Sequence, residues 1–513
     1  MKPDRAFDRI LTVIAGAALV ALVLWATHFR LTLLTLGNDP DVDALAHARV
    51  ARQVLTRPGN LSVHWVWLPL WHFIGAIGAR FQYDLIFQRW LSVLCGVVAP
   101  FQLWAFLRRA LDRDPSRAAR WVPCFAAMLL TLWPGAMATF SSGEPEALFL
   151  VGFLALSHTL WRGDDGAAGL ILAALCLLRY EAWTLVAAVF ARALWRASRG
   201  ETRGLRPMLA WVLPALGIAG WCLAHGLSTG VAFQFIKENR VYVARAWVEL
   251  NIARRGNVAF EHPVIWYALL VPAHALRGRI VFTLMGLGSL KRLPRGWALF
   301  NGWLLLVITV IWLRRTNLGL MRHFTVLIPF YATLTALGVA RVIDALLDRV
   351  AELKTVTQTL QRHTRSFAMA LSAMVILHGL GHFIQTRWYR EYQPRSATAQ
   401  WEEAALGRLL RQNLQGTPCG RAFSTVRDAE VFARLPPARY LRWHPQDIRD
   451  YHTLVESVQC GVVLILARAE VPLEVREGIE VLYRSRRYQL LRRRRPAMYP
   501  PSVWRSRRPP SGR

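Results

Sequence analysis

Residues suited to chemistry stand close together in the stretch GNDPDVDALAHARVARQVL, residues 37–55. Asp39, Asp41 and Asp43 come first, and a helix-forming run bearing His47, Arg49 and Arg52 follows. Asp is a common N-cap, because a carboxylate accepts the orphan amides of a first helical turn and suits the positive end of the helix dipole. Capping uses only one of the three. A carboxylate in this place can also accept the proton of an attacking hydroxyl, or hold a divalent metal in oxygen coordination. Arg49 and Arg52 are suited to an anionic phosphate.

Three further groups have the same character. In ATFSSGEPEALFL, Glu144 and Glu146 flank Pro145. Arg179, Tyr180 and Glu181 interrupt an apolar stretch running from Ala167 to Leu194. Ionisable residues inside an apolar stretch usually face a cavity or a partner; the plainer reading here is an internal Arg–Glu pair joining two half-helices. In MRHF, Arg322 and His323 follow Arg314 and Arg315, for which snorkelling to an interface is an equal explanation. His64, Trp65, Trp67, Trp71, His72 and Phe73 crowd one short segment, a composition that suits an interfacial aromatic belt and equally a site for a polyprenyl chain.

Positioning these groups falls to apolar elements. Of the 513 residues, 54% are hydrophobic, the mean hydropathy is +0.26, and the apolar residues form long runs separated by short Arg-rich stretches. The bilayer is the expected solvent. A net charge of +31 would suggest nucleic acid in a soluble protein, but these Arg clusters lie between apolar runs. Positive-inside topology and anionic membrane lipids account for that placement, and no nucleic-acid partner is expected. Cys95, Cys124, Cys176 and Cys222 stand singly in apolar runs, without metal-ligand spacing, and read as small core residues.

The Arg loops order the crossings. Lys2, Arg5 and Arg9 precede an apolar run that continues to Leu36 without a small-residue cleavage site, so it reads as an uncleaved first span with a cytoplasmic N-terminus. If 167–194 crossed once, the basic loop RASRGETRGLR would be exported on the side opposite WRGDDG. Two short spans meeting at the Arg179 hinge keep both loops cytoplasmic. By the same argument HWVWLPLWHFIGAIGARF (64–81) is a juxtamembrane helix on the outer surface rather than a span. The result is a polytopic α-helical membrane protein of about eleven spans. Residues 1–384 form its transmembrane domain, and 37–84 form the first external loop.

An odd number of crossings puts the remainder outside. Residues 385–490 turn mixed polar, with a helix-like pattern at 401–414 and a strand-like one at 461–467, and read as a small extracytoplasmic α/β domain. Cys419 and Cys460 both lie in it, in a compartment where disulfides persist. Residues 491–513 are a basic, solvated tail.

Taken in order, these segments resemble the GT-C class of integral-membrane glycosyltransferases, especially its mannosyl- and arabinosyltransferase-like branch. DALAHARVAR is similar to the acidic first-loop motif and its Ala- and Arg-bearing helix. WLPLWHFIGAI resembles the Pro-Leu-aromatic juxtamembrane helix, QRWLSVLCG the next span, SSGEPEALF the second loop and LLRYEAW the Arg-containing hinge. MRHFTVLIPFYATLTALGVAR resembles the span before the C-terminal part. The resemblance covers roughly residues 9–383. Two departures are visible: acids often adjacent in the class are spread here over Asp39, Asp41 and Asp43, and those of the second loop are offset around Pro145.

The resemblance implies transfer of a sugar from a polyprenyl-phosphate carrier to an acceptor glycan, lipid or protein at the outer face of the inner membrane. The expected chemistry is inverting attack on the anomeric carbon, with Asp43 as base and Asp41 as its understudy or a metal ligand. Arg49, Arg179 and Arg322 are the expected phosphate binders, and Asp39, Arg52, His64, Glu144, Glu146, Glu181 and His323 complete the substrate site. No cofactor is required, because the leaving phosphate already carries charge; a divalent metal would assist. The alternative is a transporter or flippase of a lipid-linked or anionic substrate, since broken helices with buried charges also mark transport sites.

Overall fold

The computed structural model describes residues 5–35, 42–81, 84–112, 121–200, 206–249, 262–265, 279–314 and 321–352, with short segments between 373 and 493. Two compact units divide at Arg395 and Ser396.

Helices of the first unit are α1 (Arg5–Thr35), α2 (Val42–Thr56), α3 (Leu70–Arg80), α4 (Asp84–Ala110), α5 (Val122–Thr131), α6 (Pro134–Ser142) and α7 (Pro145–Arg162). They continue with α8 (Asp165–Cys176), α9 (Glu181–Ser198), α10 (Arg206–Thr229), α11 (Gln234–Glu249), α12 (Ile280–Leu287), α13 (Arg295–Leu313) and α14 (Ile328–Glu352). Turns of 3-10 helix at Leu61–His64 and Met321–Leu327 lead into α3 and α14.

Among the described residues, four helices are long and apolar enough to cross a membrane: Val13–Leu31, Leu85–Ala110, Pro207–Thr229 and His323–Ala345. A pair bent by 65°, Val122–Thr131 with Gly135–Ser142, makes a fifth. Other apolar runs correspond to shorter helices, α7, α8, α9 and α13, and the apolar run at 366–384 falls almost wholly outside the described residues. Large apolar side chains point outward from the long helices, with Leu24 65%, Leu216 62% and Leu227 82% exposed. Such surface is tolerated in lipid rather than in water.

Inside, one core runs through Leu103, Phe106, Phe140, Phe153, Leu172 and Phe324. Glycines bring helices together where a side chain would hold them apart. A Cβ at Gly338 of α14 would meet the Phe282 carbonyl oxygen of α12, and one at Gly169 of α8 would meet the Leu209 carbonyl oxygen of α10. Arg30 of α1 is fully buried, donating to the Gly96 carbonyl at 3.1 Å and lying over the Phe140 ring at 5.1 Å. Cys95, Cys124, Cys176 and Cys222 are buried and unbridged.

The stretch from Ala167 to Leu194 forms two helices, α8 and α9, broken at 177–180. Asp165 at the start of α8 pairs with Arg192 (3.3 Å) and Arg196 (3.1 Å) on the last turns of α9. That clamp brings the chain back to the level from which α8 began. The segment 64–81 likewise does not form one long helix: it enters as 3-10 turn and loop, and α3 has 11 residues, too few to span ~30 Å at about 1.5 Å per residue.

The second unit, Ser396–Arg513, holds a five-stranded sheet of order β2-β1-β3-β5-β4. Its strands are β1 (Arg421–Ser424), β2 (Tyr440–Arg442), β3 (Gly461–Leu466), β4 (Ile479–Arg484) and β5 (Tyr488–Arg493). β1 runs parallel to β2 and β3, while β5 runs antiparallel to β3 and β4. Leu406, Leu410 and Leu414 pack on Ala422, Val462 and Leu490. Cys419, Cys460 and residues 494–513 lie outside the described residues.

Candidate active site

The second loop is an elbow of two residues. Gly143 ends α6 with a left-handed backbone, φ 85°, and Pro145 starts α7 at its first helical position. Glycine enters that conformation at no steric cost, and proline at N1 loses no hydrogen bond. Trp71 Nε1 donates to the Gly143 carbonyl at 3.1 Å, and Arg89 Nε donates to the Ser141 carbonyl at 3.0 Å. Glu146, in the first turn of α7, is thereby set by backbone and is buried.

Hinge and first loop are joined directly. Leu70 N–H donates to the Leu177 carbonyl at 2.9 Å, capping α8, and the Tyr180 hydroxyl donates to the Val66 carbonyl at 2.9 Å. The loop is also tied to the end of α10, where the Ser228 hydroxyl donates to the Gly59 carbonyl at 3.0 Å and accepts from Leu61 N–H at 3.1 Å. Asn60 is occupied in a turn with Ser62, accepting from its hydroxyl at 2.6 Å. Trp65 has φ 52°, a conformation that costs an L residue about 1–3 kcal/mol. Its ring is placed edge-on to Trp67 (5.5 Å) and Tyr242 (5.0 Å).

Under this loop lies a cavity of about 310 Å³, lined by Asp43 and His47 from α2, Glu146 from α7, Arg179 and Glu181 from the hinge, and His323 from the second 3-10 turn. Trp67, Trp71, Tyr180, Trp183, Asn239 and Tyr242 complete its polar and aromatic wall. Arg179 grips Glu181 in a two-point bond, Nε to Oε2 at 3.1 Å and Nη2 to Oε1 at 2.8 Å, while its Nη1 pairs with Glu146. His323 Nδ1 sits 2.9 Å from Arg179 Nη2 and 3.2 Å from Glu181 Oε1, so its tautomer decides which of the two it bonds. A guanidinium held at two points by a carboxylate is fixed in plane as well as position.

Behind His47 the loop carries two more imidazoles. His47 Nδ1 is 2.8 Å from His72 Nε2, and His64 Nδ1 is 2.8 Å from His72 Nδ1. Burial pushes His64 down to about 4, with the neighbouring His225 adding to it. Burial, then the charges of His47 and His64, holds His72 well below the usual histidine range.

Of the residues singled out in the sequence, the cavity collects Asp43, Glu146, Arg179, Glu181 and His323. Glu144, Arg52 and His64 are buried outside its lining, and Arg49 is half-buried on α2. Asp39 and Asp41 lie outside the described residues, as does the side chain of Arg322. His47, Trp183, Asn239 and Tyr242 were not assigned to a site from sequence. His47 carried a signal, one helical turn beyond Asp43 and on its face. Among the described residues, no group of three or more His, Cys, Asp or Glu side chains is arranged to hold a metal ion.

Among solved structures, the chain is similar to ArnT from Cupriavidus metallidurans in the apo state, with TM-score 0.50 at 13% identity over 92% of this chain and 98% of that one. Against ArnT bound to undecaprenyl phosphate the values are 0.51, 14%, 91% and 97%. It is also similar to the Archaeoglobus fulgidus oligosaccharyltransferase in complex with Zn and sulfate, with TM-score 0.51 at 12% identity over 87% of this chain and 68% of that one. No family model and no curated protein matches the sequence. The chain has the GT-C fold of integral-membrane glycosyltransferases.

Proposed function

We propose that the protein is a glycosyltransferase that moves a sugar from a polyprenyl-phosphate carrier to an acceptor at the outer face of the cytoplasmic membrane, with inversion. One observation carries the reading: Asp43, an acid suited to base catalysis, shares a cavity with Arg179, a cation suited to phosphate. A similar fold binds undecaprenyl phosphate in ArnT.

Asp43 takes the proton of the acceptor hydroxyl or amide as that group attacks the anomeric carbon, and the bond to the lipid phosphate breaks on the opposite face. Arg179 stabilises the leaving phosphate by exchanging its bond to Glu146 while Glu181 keeps the guanidinium in plane. Arg322 and Arg49 assist with the phosphate, and Asp41 substitutes for Asp43 or serves a metal. Trp67, Trp183 and Tyr242 offer apolar faces to the sugar and the first prenyl units.

The test is full-length protein in proteoliposomes with a panel of labelled polyprenyl-phosphate pentoses and hexoses and a membrane-extract acceptor. Asp43→Asn should lower transfer at least about 100-fold. Full transfer by both Asp43→Asn and Asp41→Asn removes the base assignment. Absence of transfer by the wild type with every donor, while labelled lipid crosses the bilayer, favours a flippase.

A further inference from the structure

The transfer reaction gives no task to His72 and His64, which stand behind the cavity wall at 0% and 1% exposure. A buried imidazole costs more than an apolar side chain of the same size unless its nitrogens are bonded. Here the bonds run in a line. His72 spends both ring nitrogens on other imidazoles, Nε2 on His47 and Nδ1 on His64, each at 2.8 Å. One end of the line, His47, lines the cavity beside Asp43. At the other end, His64 Nε2 is buried with no hydrogen-bond partner among the described residues.

Beyond that end further rings lead outward by packing contact alone. The His64 ring meets Trp221 at 5.4 Å, and Trp221 meets His225 at 5.5 Å. His225 Nδ1 lies 3.1 Å from the Thr229 hydroxyl in the last turn of α10, beside exposed Ser228 and Gly230. An imidazole filler placed for packing would end its bonds on a nearby carbonyl or hydroxyl, as His225 does; this line ends on an open nitrogen.

We propose that His47, His72 and His64 form a proton relay that carries the acceptor's proton from Asp43 out of the cavity, a role that rests on the transfer reading above. Asp43 passes the proton to His47 Nε2. The proton on His47 Nδ1 moves to His72 Nε2, the one on His72 Nδ1 moves to His64 Nδ1, and the one on His64 Nε2 is taken by a water molecule, since the neighbouring Trp221 indole is a donor only. One proton enters and one leaves, each ring ends neutral in its other tautomer, Asp43 is again ionised, and the three rings must turn to restore the starting tautomers before the line carries a second proton. The groups facing the line are Asp43 on α2, then Glu146, Arg179, Glu181 and His323 around the cavity, and His225 on α10 at the far end. Burial keeps His64 and His72 neutral between turnovers, as a relay requires.

Two measurements on the full-length chain in lipid vesicles test it. The first compares wild type, His72→Phe, which keeps ring volume without nitrogens, and His64→Ala, using whichever labelled polyprenyl-phosphate sugar the wild type consumes. The relay predicts kcat lower by about 10 to 100-fold with KM nearly unchanged, a kcat optimum displaced to higher pH, and recovery of His64→Ala by free imidazole. Wild-type turnover by both variants, at unchanged melting temperature, overturns it. The second needs no variant: 15N-histidine solid-state NMR of the wild type should show ring-to-ring N–H···N couplings across both bonds. Transfer by the wild type without those couplings overturns the relay alone. No transfer by the wild type, couplings intact, overturns the transfer reading and the relay's part in it.

Discussion

The backbone N–H of Leu70 donates to the carbonyl oxygen of Leu177 across 2.9 Å, so α3 of the first loop begins on the last turn of α8. This bond and its neighbour from Tyr180 to Val66 lock the loop over the hinge that carries Arg179. Tyr180→Phe keeps the ring and removes the second bond. Stability should fall by about 1 kcal/mol, and limited proteolysis within 57–69 should accelerate, while loss of transfer should be smaller than for Asp43→Asn. An unchanged cleavage rate would mean that the Leu70 bond and the Ser228 bonds to Gly59 and Leu61 fasten the loop without it.

Arg179 is 13% exposed, and its partners Glu146 and Glu181 are 7% and 12% exposed. Removing the guanidinium leaves two carboxylates facing each other in a poorly solvated place. Arg179→Met should cost about 3–5 kcal/mol, read as a fall in melting temperature. Adding Glu181→Gln should recover part of that loss without recovering transfer, which separates the fold's need for the cation from the reaction's need.

Gly143 sits at φ 85°, and a Cβ there would lie 2.8 Å from Arg89 Cγ. Gly143→Ala therefore combines a left-handed penalty of about 1–2 kcal/mol with displacement of Arg89 from Ser141. Transfer should fall in the same variant because Glu146 moves with the elbow. The comparison is Gly163→Ala, φ 75° with nothing near its Cβ, which should show the backbone penalty and retain transfer.

Acid should loosen the first loop. His64 has its folded value pushed from 6.5 to about 4 by burial, so as pH falls the unfolded chain binds a proton before the folded one does. Its contribution is complete above about 6.5 and is lost progressively toward 4, at up to about 1.4 kcal/mol per pH unit. Melting temperature of the wild type should therefore drop across that window, and His64→Phe should flatten the profile.

Helix contact in α12 and α14 depends on the absence of a side chain. Gly338→Ala would push a methyl into the Phe282 carbonyl oxygen, whereas a Cβ at Gly296 meets nothing within 4 Å. Gly338→Ala should lower the melting temperature by the equivalent of about 1–3 kcal/mol, and Gly296→Ala should leave it unchanged.

The hinge was legible in the sequence because two charges interrupt an otherwise apolar run and because the loop after it, RASRGETRGLR, is strongly basic; the Asp165 clamp with Arg192 and Arg196 joins the two ends of the broken stretch. The acidic side of the site was legible too, since Asp43, Glu146 and Glu181 each stand at an element's edge. Its remaining wall was not. Asn239 and Tyr242 belong to α11, a polar, amphipathic helix whose sequence matches neither a span nor a loop. The imidazole line is invisible for another reason: His47, His64 and His72 sit on three different elements, and only the folding of α2 against α3 makes them neighbours. Segment 64–81 reads as one continuous helix by its apolar content, yet the turn at Asn60 and the backbone of Trp65 delay the helix to Leu70.

Two residues, Gly143 and Glu144, separate α6 from the proline that opens α7, and the α6 end of that connection is held by Trp71 of α3 and Arg89 of α4. There is no slack to absorb a change of length. A residue inserted after Pro145 would turn Glu146 by about 100° around the helix and carry it away from Arg179, however conservative the inserted side chain. In this connection, then, length matters more than composition: exchanging Glu144 for another polar residue is a local change, whereas adding or deleting one residue rewrites which groups meet in the cavity.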